Sequence, residues 1–121
     1  MTTKEVADKL VKLCSAGNFI EPIKTLYSPD IVSMEATAPP GGSREAKGIA
    51  AVLAKSEWWN ANHEVHSAAV EGPLVAGSQF AVVFKMDFTF KPQNKRMQME
   101  EVAVYKVADG KIVYEEFFYN T

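Results

Sequence analysis

The residues of this chain that could carry chemistry are carboxyl groups set among apolar residues. Glu101 lies in the alternating stretch 97–105, where it shares one face with Met99 and Ala103. A carboxyl group on a buried face loses its hydration, which raises its pKa toward neutrality. Such a group is suited to general acid–base catalysis, because it can take a proton from a reacting atom and return it. Glu101 is therefore the first candidate for a catalytic residue.

Glu35 and His66 are two further candidates for acid–base chemistry. Glu35 closes a short apolar stretch, and His66 carries the side chain whose ordinary pKa lies closest to neutral. Structural roles are the alternatives. Glu101 could pair with Arg96 or Lys85, or face water, and His66 could be a hydrogen-bonded strand residue.

We expect neither a metal site nor a cofactor. His63 and His66 would lie on opposite faces of a strand, and no third metal ligand accompanies them. Cys14 is the only cysteine, which excludes an internal disulfide and a thiolate cluster, and its helical surroundings predict a buried thiol. The sequence also has no glycine-rich loop with the spacing of a phosphate-binding motif.

The first half of the chain shows helical periodicity. Apolar residues recur there at three- and four-residue spacing, with Thr3 as the expected N-cap of the first helix and Pro22 in the first turn of the second. The pattern predicts helices over 3–16, 19–27 and 46–60, and a short strand over 31–35.

The second half of the chain alternates with period two, which predicts strands. Gly72-Pro73 is expected to end the first strand, and Asp109-Gly110 to form the tight turn before the last one. The predicted strands cover 63–71, 80–90, 97–107 and 112–119.

Helices followed by long antiparallel strands indicate a single α+β domain over 1–121, with three N-terminal helices against a curved, mostly antiparallel sheet. Such a sheet encloses a cone whose mouth is the expected ligand site.

Three motifs in this order resemble the nuclear-transport-factor-two-like superfamily, and within it the SnoaL-like proteins. They are the helix-to-strand stretch 16–30 with Tyr27-Ser28-Pro29-Asp30, the glycine of Lys47-Gly48-Ile49, and the hairpin over 107–113. The resemblance implies a cystatin-like α+β barrel, and it assigns the face of the 97–105 strand that carries Glu101 to the cavity. With that face chosen, alternation along the strands and two tryptophans at the end of the third helix predict the residues that contact the ligand: Trp58, Trp59, Phe84, Met86, Phe88, Met99, Tyr105, Glu115, Phe117 and Tyr119.

The resemblance also implies acid–base chemistry. It places Glu35 where ketosteroid isomerase has its base, but it places Leu10 and Ala103 where that enzyme has its two oxyanion donors. SnoaL-type cyclases need an acidic residue in a mostly apolar pocket. We therefore expect isomerase or cyclase chemistry on a small hydrophobic molecule, with a non-catalytic ligand-binding or dimeric protein-interaction module as the alternative.

Charge and composition limit the partners. The 13 Lys+Arg and 15 Asp+Glu residues give a net charge of −2, which offers no electrostatic reason to expect nucleic acid or a membrane as a partner. The chain has no transmembrane-length apolar run and no signal-peptide core, so we expect a cytoplasmic protein. The outward face of the sheet is apolar at Val83, Val102 and Val104, which predicts a homodimer through that face.

Overall fold

The computed structural model describes residues 1–120, and its helices lie in the first half of the chain. They are α1 (Thr3–Ser15), α2 (Glu21–Leu26) and α3 (Ile49–Asn62). Thr2, not Thr3, is the N-cap of α1, because its hydroxyl accepts from the Glu5 N–H while the Glu5 carboxylate accepts from the Thr2 N–H. Pro22 lies in the first turn of α2, as predicted, where a missing N–H breaks no helical hydrogen bond.

Six strands form one curved sheet, which confirms the α+β class. In chain order they are β1 (Tyr27–Met34), β2 (Glu45–Lys47), β3 (His63–Ala76), β4 (Gln79–Phe90), β5 (Lys95–Ala108) and β6 (Lys111–Phe118). Their order across the sheet is β2-β1-β6-β5-β4-β3, and every neighbouring pair is antiparallel except β1 and β6. The sheet is open, since β2 and β3 lie at its two edges.

The start of the third helix was predicted too early. Residues from 46 were expected to be helical, but Glu45–Lys47 pairs with β1 as a three-residue strand. Gly48 follows with a φ of 87°, a conformation that residues with a Cβ rarely adopt, and α3 begins only after it. A strand of three residues is too short to show a period in the sequence.

Irregular pairing extends two strands beyond their predicted ends. β3 continues through Gly72-Pro73, because the register shifts between Glu71 and Leu74 and the bulge accommodates a proline that cannot donate to the ladder. β1 begins at Tyr27 instead of residue 31, with a similar shift between Tyr27 and Val32.

The pairing of β4 with β5 is unbroken and sets the geometry of the concave face. It runs from Gln79 opposite Lys106 to Phe90 opposite Lys95 without a bulge. Side chains therefore alternate strictly between the two faces along both strands. The Asp109-Gly110 turn after β5 has positive φ at both residues, as predicted for a tight hairpin.

The hydrophobic core lies between the helices and the concave face of the sheet. α1 packs against β3 and β4, and α3 packs against β1. Fully buried side chains from both layers meet there, among them Val6, Leu10, Ile31, Val52, Phe80, Val82 and Ile112. Within residues 1–120, no helix is both long and apolar enough to cross a membrane.

Two leucines with opposite exposure test this core. Leu26 in α2 is 2% exposed, whereas Leu74 in β3 is 73% exposed. We expect Leu26→Ala to lower the free energy of unfolding by about 2–5 kcal/mol, because it removes buried methyl groups and leaves a cavity. Leu74→Ala should change it by less than about 0.5 kcal/mol. Urea denaturation of both variants measures the difference, and equal losses would contradict the assigned core.

Candidate functional site

A cavity of about 160 Å³ lies between the helices and the concave face of the sheet. We call it the inner cavity. Most of its wall is apolar, and its polar lining comes from strands β1, β5 and β6 and from helix α3. The lining residues include Leu10, Cys14, Phe19, Ile23, Tyr27, Glu35, Lys55, Trp59, Phe84, Met86, Met99, Glu101, Tyr105, Glu115 and Phe117.

Glu101 lies on the inward face of β5, where the sequence alternation predicted it. Its neighbours on that face, Met99 and Tyr105, also line the inner cavity, and Phe84 lies opposite it on β4. Burial raises the pKa of the Glu101 carboxyl to about 8, with further contributions from the charges of Glu35 and Glu115. No side chain among residues 1–120 donates a hydrogen bond to this carboxyl. Its oxygens are open to the cavity, since no fully buried side-chain polar atom among these residues lacks a partner. Neither alternative ion pair forms, since Arg96 pairs with Asp87 and Lys85 pairs with Glu71.

Glu115 is the most buried of the three carboxyl groups that line the cavity. It is 2% exposed on β6, and its two carboxylate oxygens accept hydrogen bonds from the Tyr27 hydroxyl and from Ser33 Oγ, the latter at 2.6 Å. Burial raises the pKa of Glu115, and both hydrogen bonds oppose that change because they favour the ionised form. The Tyr27 pKa is also raised, by its own burial first and by the Glu115 charge second.

Lys55 of α3 is the only cation among the described residues that line the inner cavity. Its Nζ donates to Ser33 Oγ at 2.7 Å and to Glu35 Oε2 at 3.1 Å. An ammonium has three N–H donors, so one of them has no acceptor among residues 1–120. The Lys55 ammonium also lies 5.4 Å from the centre of the Phe117 ring.

Glu35 directly follows β1. Hydrogen bonds connect it through Lys55 and Ser33 to Glu115. The second oxygen of Glu35 accepts from the Tyr119 hydroxyl at 3.1 Å. Burial, followed by the Glu35 charge, raises the pKa of Tyr119 to about 12. The residues of this hydrogen-bonded series, which we call the polar chain, are Tyr27, Glu115, Ser33, Lys55, Glu35 and Tyr119.

A second, wider space opens outside the inner cavity. This outer vestibule has a volume of about 610 Å³, and it shares Glu35, Lys55 and Trp59 with the inner cavity. The vestibule is walled by the loop between β1 and β2, by Trp58 and by Tyr119. Trp59 stacks on His63 with ring centres 4.1 Å apart, and a 2.7 Å hydrogen bond joins His63 Nδ1 to the Trp59 carbonyl oxygen.

Two residues predicted for the pocket lie elsewhere. His66 is exposed, and its Nε2 bonds to Thr89 Oγ1 at 2.7 Å, because the register of β3 shifts between Val65 and Ser67. A bulge at that point reverses the expected facing. Phe88 is buried but packs against Trp59 and His63 behind the cavity wall.

Each of the other predicted residues lines at least one of the two spaces. Glu35 and Trp59 line both, and Trp58 and Tyr119 line the vestibule. Those that line the inner cavity alone are Phe84, Met86, Met99, Glu101, Tyr105, Glu115 and Phe117.

Lys55, Ser33 and Tyr27 are the polar residues that the sequence analysis missed. Ser33 lies on β1 two residues before Glu35, and this spacing puts their side chains on the same face of an extended chain. The resemblance pointed to Glu35 alone, so Ser33 had this spacing as its only signal. Lys55 lies three residues after Val52 and four before Trp59, near the inward stripe of α3. That spacing was the available signal, but lysines on helices usually face water.

The side chains of residues 1–120 form no group of three or more potential metal ligands. Cys14 is buried beside the cavity, as predicted, and burial raises the pKa of its thiol to about 12. The thiol therefore stays protonated at neutral pH and is a poor nucleophile and ligand. The carboxyl groups that line the inner cavity, Glu35, Glu101 and Glu115, are the side chains suited to proton transfer.

Comparison with known proteins gives a consistent family. A model of the SnoaL-like domain matches residues 1–119. A protein from Mesorhizobium loti, whose crystal structure carries the provisional names SnoaL-like polyketide cyclase and carbohydrate phosphatase, is 41% identical to this chain. The two structures match with a TM-score of 0.92, and the match covers 98% of this chain and 100% of that one. No curated protein matches the chain.

More distant structures share the fold. An NTF2-like protein from Burkholderia xenovorans has 17% identity and a TM-score of 0.78. A protein of unknown function with a cystatin-like fold, from Xanthomonas campestris, has 20% identity and a TM-score of 0.74. In both cases 100% of this chain and 92% of the other chain are covered.

The raised pKa of Glu101 makes the stability of the protein depend on pH. Between pH 4.5 and about 8 the folded protein holds a proton that the unfolded chain has released. The free energy of unfolding should therefore fall as the pH rises through this range. Glu101→Gln cannot ionise, so it lacks this dependence. Between pH 5 and pH 9 the free energy of unfolding of Glu101→Gln should therefore rise relative to that of wild type by on the order of a few kcal/mol.

Denaturation of both proteins across this pH range measures the effect. Glu100→Gln is the matched control, because Glu100 is the next residue and its exposed side chain lies on the opposite face of β5. An unchanged pH dependence in Glu101→Gln would show that Glu101 is ionised in the folded protein throughout.

Proposed function

The chain belongs to the SnoaL-like domain family, and we propose that it is a cofactor-free acid–base enzyme acting on a small hydrophobic carbonyl compound. The observation that carries the proposal is the carboxyl of Glu101, which lines an apolar cavity without a hydrogen-bond donor among residues 1–120. An unpartnered carboxyl in such a cavity is available to a ligand atom.

The competing carboxyls are less available as bases. Both oxygens of Glu115 are occupied by Tyr27 and Ser33. Both oxygens of Glu35 are occupied by Lys55 and Tyr119. A carboxylate that already accepts hydrogen bonds at each oxygen is held in place and is a weaker proton acceptor. Glu101 is therefore the proposed base, and the other two are positioning residues.

The reaction begins when ionised Glu101 removes a proton from the carbon next to a carbonyl. The C–H electron pair forms a C=C bond, and the carbonyl π pair moves to oxygen to give an enolate. In an isomerisation, Glu101 then returns the proton to another carbon of the conjugated system. In a cyclisation, the enolate carbon bonds to a second carbonyl carbon, and Glu101 gives its proton to the oxygen of that carbonyl.

Lys55 is the proposed stabiliser of the negative charge that develops on the oxygen. Its third N–H is available to a ligand, and the other two are fixed by Ser33 and Glu35. A cation held in advance in an apolar site stabilises such charge without reorganising during the reaction. It would replace the two oxyanion donors that ketosteroid isomerase has where this chain carries Leu10 and Ala103.

We also propose a homodimer through the outward face of the sheet. Cross-strand pairing brings Leu74, Ala81 and Val104 into one row, which ends at Glu116. It brings Val83, Val102 and Phe118 into the next row, which ends at Glu71. Leu74, Val102 and Phe118 are 73%, 39% and 49% exposed. Lys85 and Glu100 lie opposite each other beside this patch. In a dimer with a two-fold axis, Lys85 of one copy can therefore face Glu100 of the other.

Hydrogen–deuterium exchange tests the proposed base without knowledge of the natural substrate. Wild-type protein should speed the exchange of the α-protons of cyclohexanone in D2O, and the rate should rise with pH to a plateau above about pH 8. Glu101→Gln should lower the catalysed rate by about 100- to 10,000-fold, because it removes the proton acceptor. Proton NMR follows the loss of the α-proton signals.

Glu100→Gln serves again as the control and should exchange at the wild-type rate. Equal rates in Glu101→Gln and wild type would refute the proposed base. If wild type binds cyclohexanone and produces no exchange, the protein is the non-catalytic binding module that the sequence analysis kept as its alternative.

Substitution of two valines with similar exposure tests the dimer. Val102 is 39% exposed on the outward face, and Val75 is 42% exposed on the other face of the sheet. Val102→Lys places a charge in the apolar patch, so we expect it to convert a dimer to a monomer, and Val75→Lys should not. Light scattering after size-exclusion chromatography gives the mass of each. A monomeric wild type would refute the proposal.

A further inference from the structure

The sizes of the two spaces limit the shape of the ligand. The inner cavity, at about 160 Å³, is close to the roughly 150 Å³ of a protein cavity that holds one benzene molecule. A ligand whose reacting carbon lies beside Glu101 can place about one six-membered ring there. Glu35, Lys55 and Trp59 line both spaces, so the outer vestibule adjoins the inner cavity and offers room for the rest of a larger ligand.

The outer vestibule presents flat, apolar walls. Trp58 and Trp59 form one side, and Pro39 and Pro40 of the loop between β1 and β2 contribute another. Reciprocal contacts hold the two ends of this loop together. The Glu35 N–H donates to the Arg44 carbonyl oxygen at 2.8 Å, and Arg44 Nε donates to the Glu35 carbonyl oxygen at 2.9 Å.

Trp58 is the exposed member of the tryptophan pair. Its side chain is 56% exposed, and its aromatic contacts with His63 and Phe90 are tilted or edge-on, with ring centres 6.1 and 6.4 Å apart. Neither contact covers the indole by parallel stacking. An aromatic group in the vestibule could remove this surface from water, and the indole is large enough to make that contact strong.

We propose that the ligand has two parts, a one-ring carbonyl head in the inner cavity and a flat aromatic arm in the outer vestibule against Trp58. Trp58 is then a specificity-determining residue, since it contacts the arm and not the reacting atoms. The identity of the head rests on the proposed function. The binding of an aromatic arm rests on the vestibule alone.

A matched pair of ligands separates the two parts. Cyclohexanone represents the head, and 2-(naphthalen-2-yl)cyclohexanone represents the head with an arm. The chain has only two tryptophans, and both line the vestibule, so the two indole N–H signals in a ¹⁵N NMR spectrum report on it directly. The two-part ligand should shift both signals, whereas cyclohexanone should shift that of Trp59 and leave that of Trp58 in place.

Substitution of Trp58 completes the test. Trp58→Ala should weaken binding of the two-part ligand by about tenfold, because it removes the aromatic surface that the arm would cover. Its affinity for cyclohexanone should stay within about twofold of wild type. Trp58→Phe keeps an aromatic face and should retain most of the affinity. The exposure of Trp58 makes misfolding of either variant unexpected, and circular dichroism verifies the fold.

The outcomes distinguish this proposal from the proposed function. Equal affinity of Trp58→Ala and wild type for the two-part ligand overturns the inference, and so does a failure of that ligand to bind wild type. Loss of proton exchange in Glu101→Gln would then still support the proposed base. Conversely, an arm-specific effect of Trp58→Ala together with normal exchange in Glu101→Gln supports the vestibule and refutes the base.

Discussion

Three carboxyl groups and only one ammonium line the described part of the inner cavity, and the properties of the site depend on this excess of acidic groups. Glu35, Glu101 and Glu115 line the cavity, and Lys55 is the only cation among its described lining residues. Three unscreened negative charges in an apolar space would repel one another strongly. Lys55 contacts Glu35 directly and reaches Glu115 through the Ser33 hydroxyl, so two of the three carboxyls are connected to the cation. Glu101 is outside that network and holds its proton to about pH 8.

Regular strand pairing around Glu101 keeps its carboxyl in the cavity. The unbroken pairing of β4 and β5 places Glu101 opposite Phe84, with Met99 opposite Met86 beside it. A one-residue shift in this register would bring Glu100 and Gln98 into the cavity and expose Met99. Burial of the apolar faces of both strands therefore fixes the register, and the register places an unpartnered carboxyl in the cavity. The stability of the sheet and the chemistry of the site have a common origin.

Regular segments were predictable from the sequence, and irregular ones were not. The family resemblance indicated which face of β5 lines the cavity, and alternation then located Glu101, because β5 pairs with β4 without a bulge. Glu115 and Phe117 lie beyond the register shift between β5 and β6, so their predicted facing holds on the stretch that pairs regularly. His66 was placed wrongly, since a register shift inside β3 has no signal in the alternation itself. Lys55 and Ser33 were missed for a different reason. Their roles come from contacts between α3, β1 and β6, which are distant in sequence, and a polar residue near an apolar stripe usually faces water.

Family membership and local geometry contribute different parts of the functional argument. The SnoaL-like fold provides an open curved sheet with a cavity on its concave side, a framework that supports unrelated activities. The hydrogen bonds inside the cavity add what the fold alone does not provide. Tyr27, Ser33, Lys55 and Tyr119 satisfy two carboxyls and leave the third without a donor. A carboxyl that served only to stabilise the fold would gain from such a donor, whereas the Glu101 oxygens have none and are open to the cavity. Its position beside the cavity is better explained by a partner that arrives with the ligand.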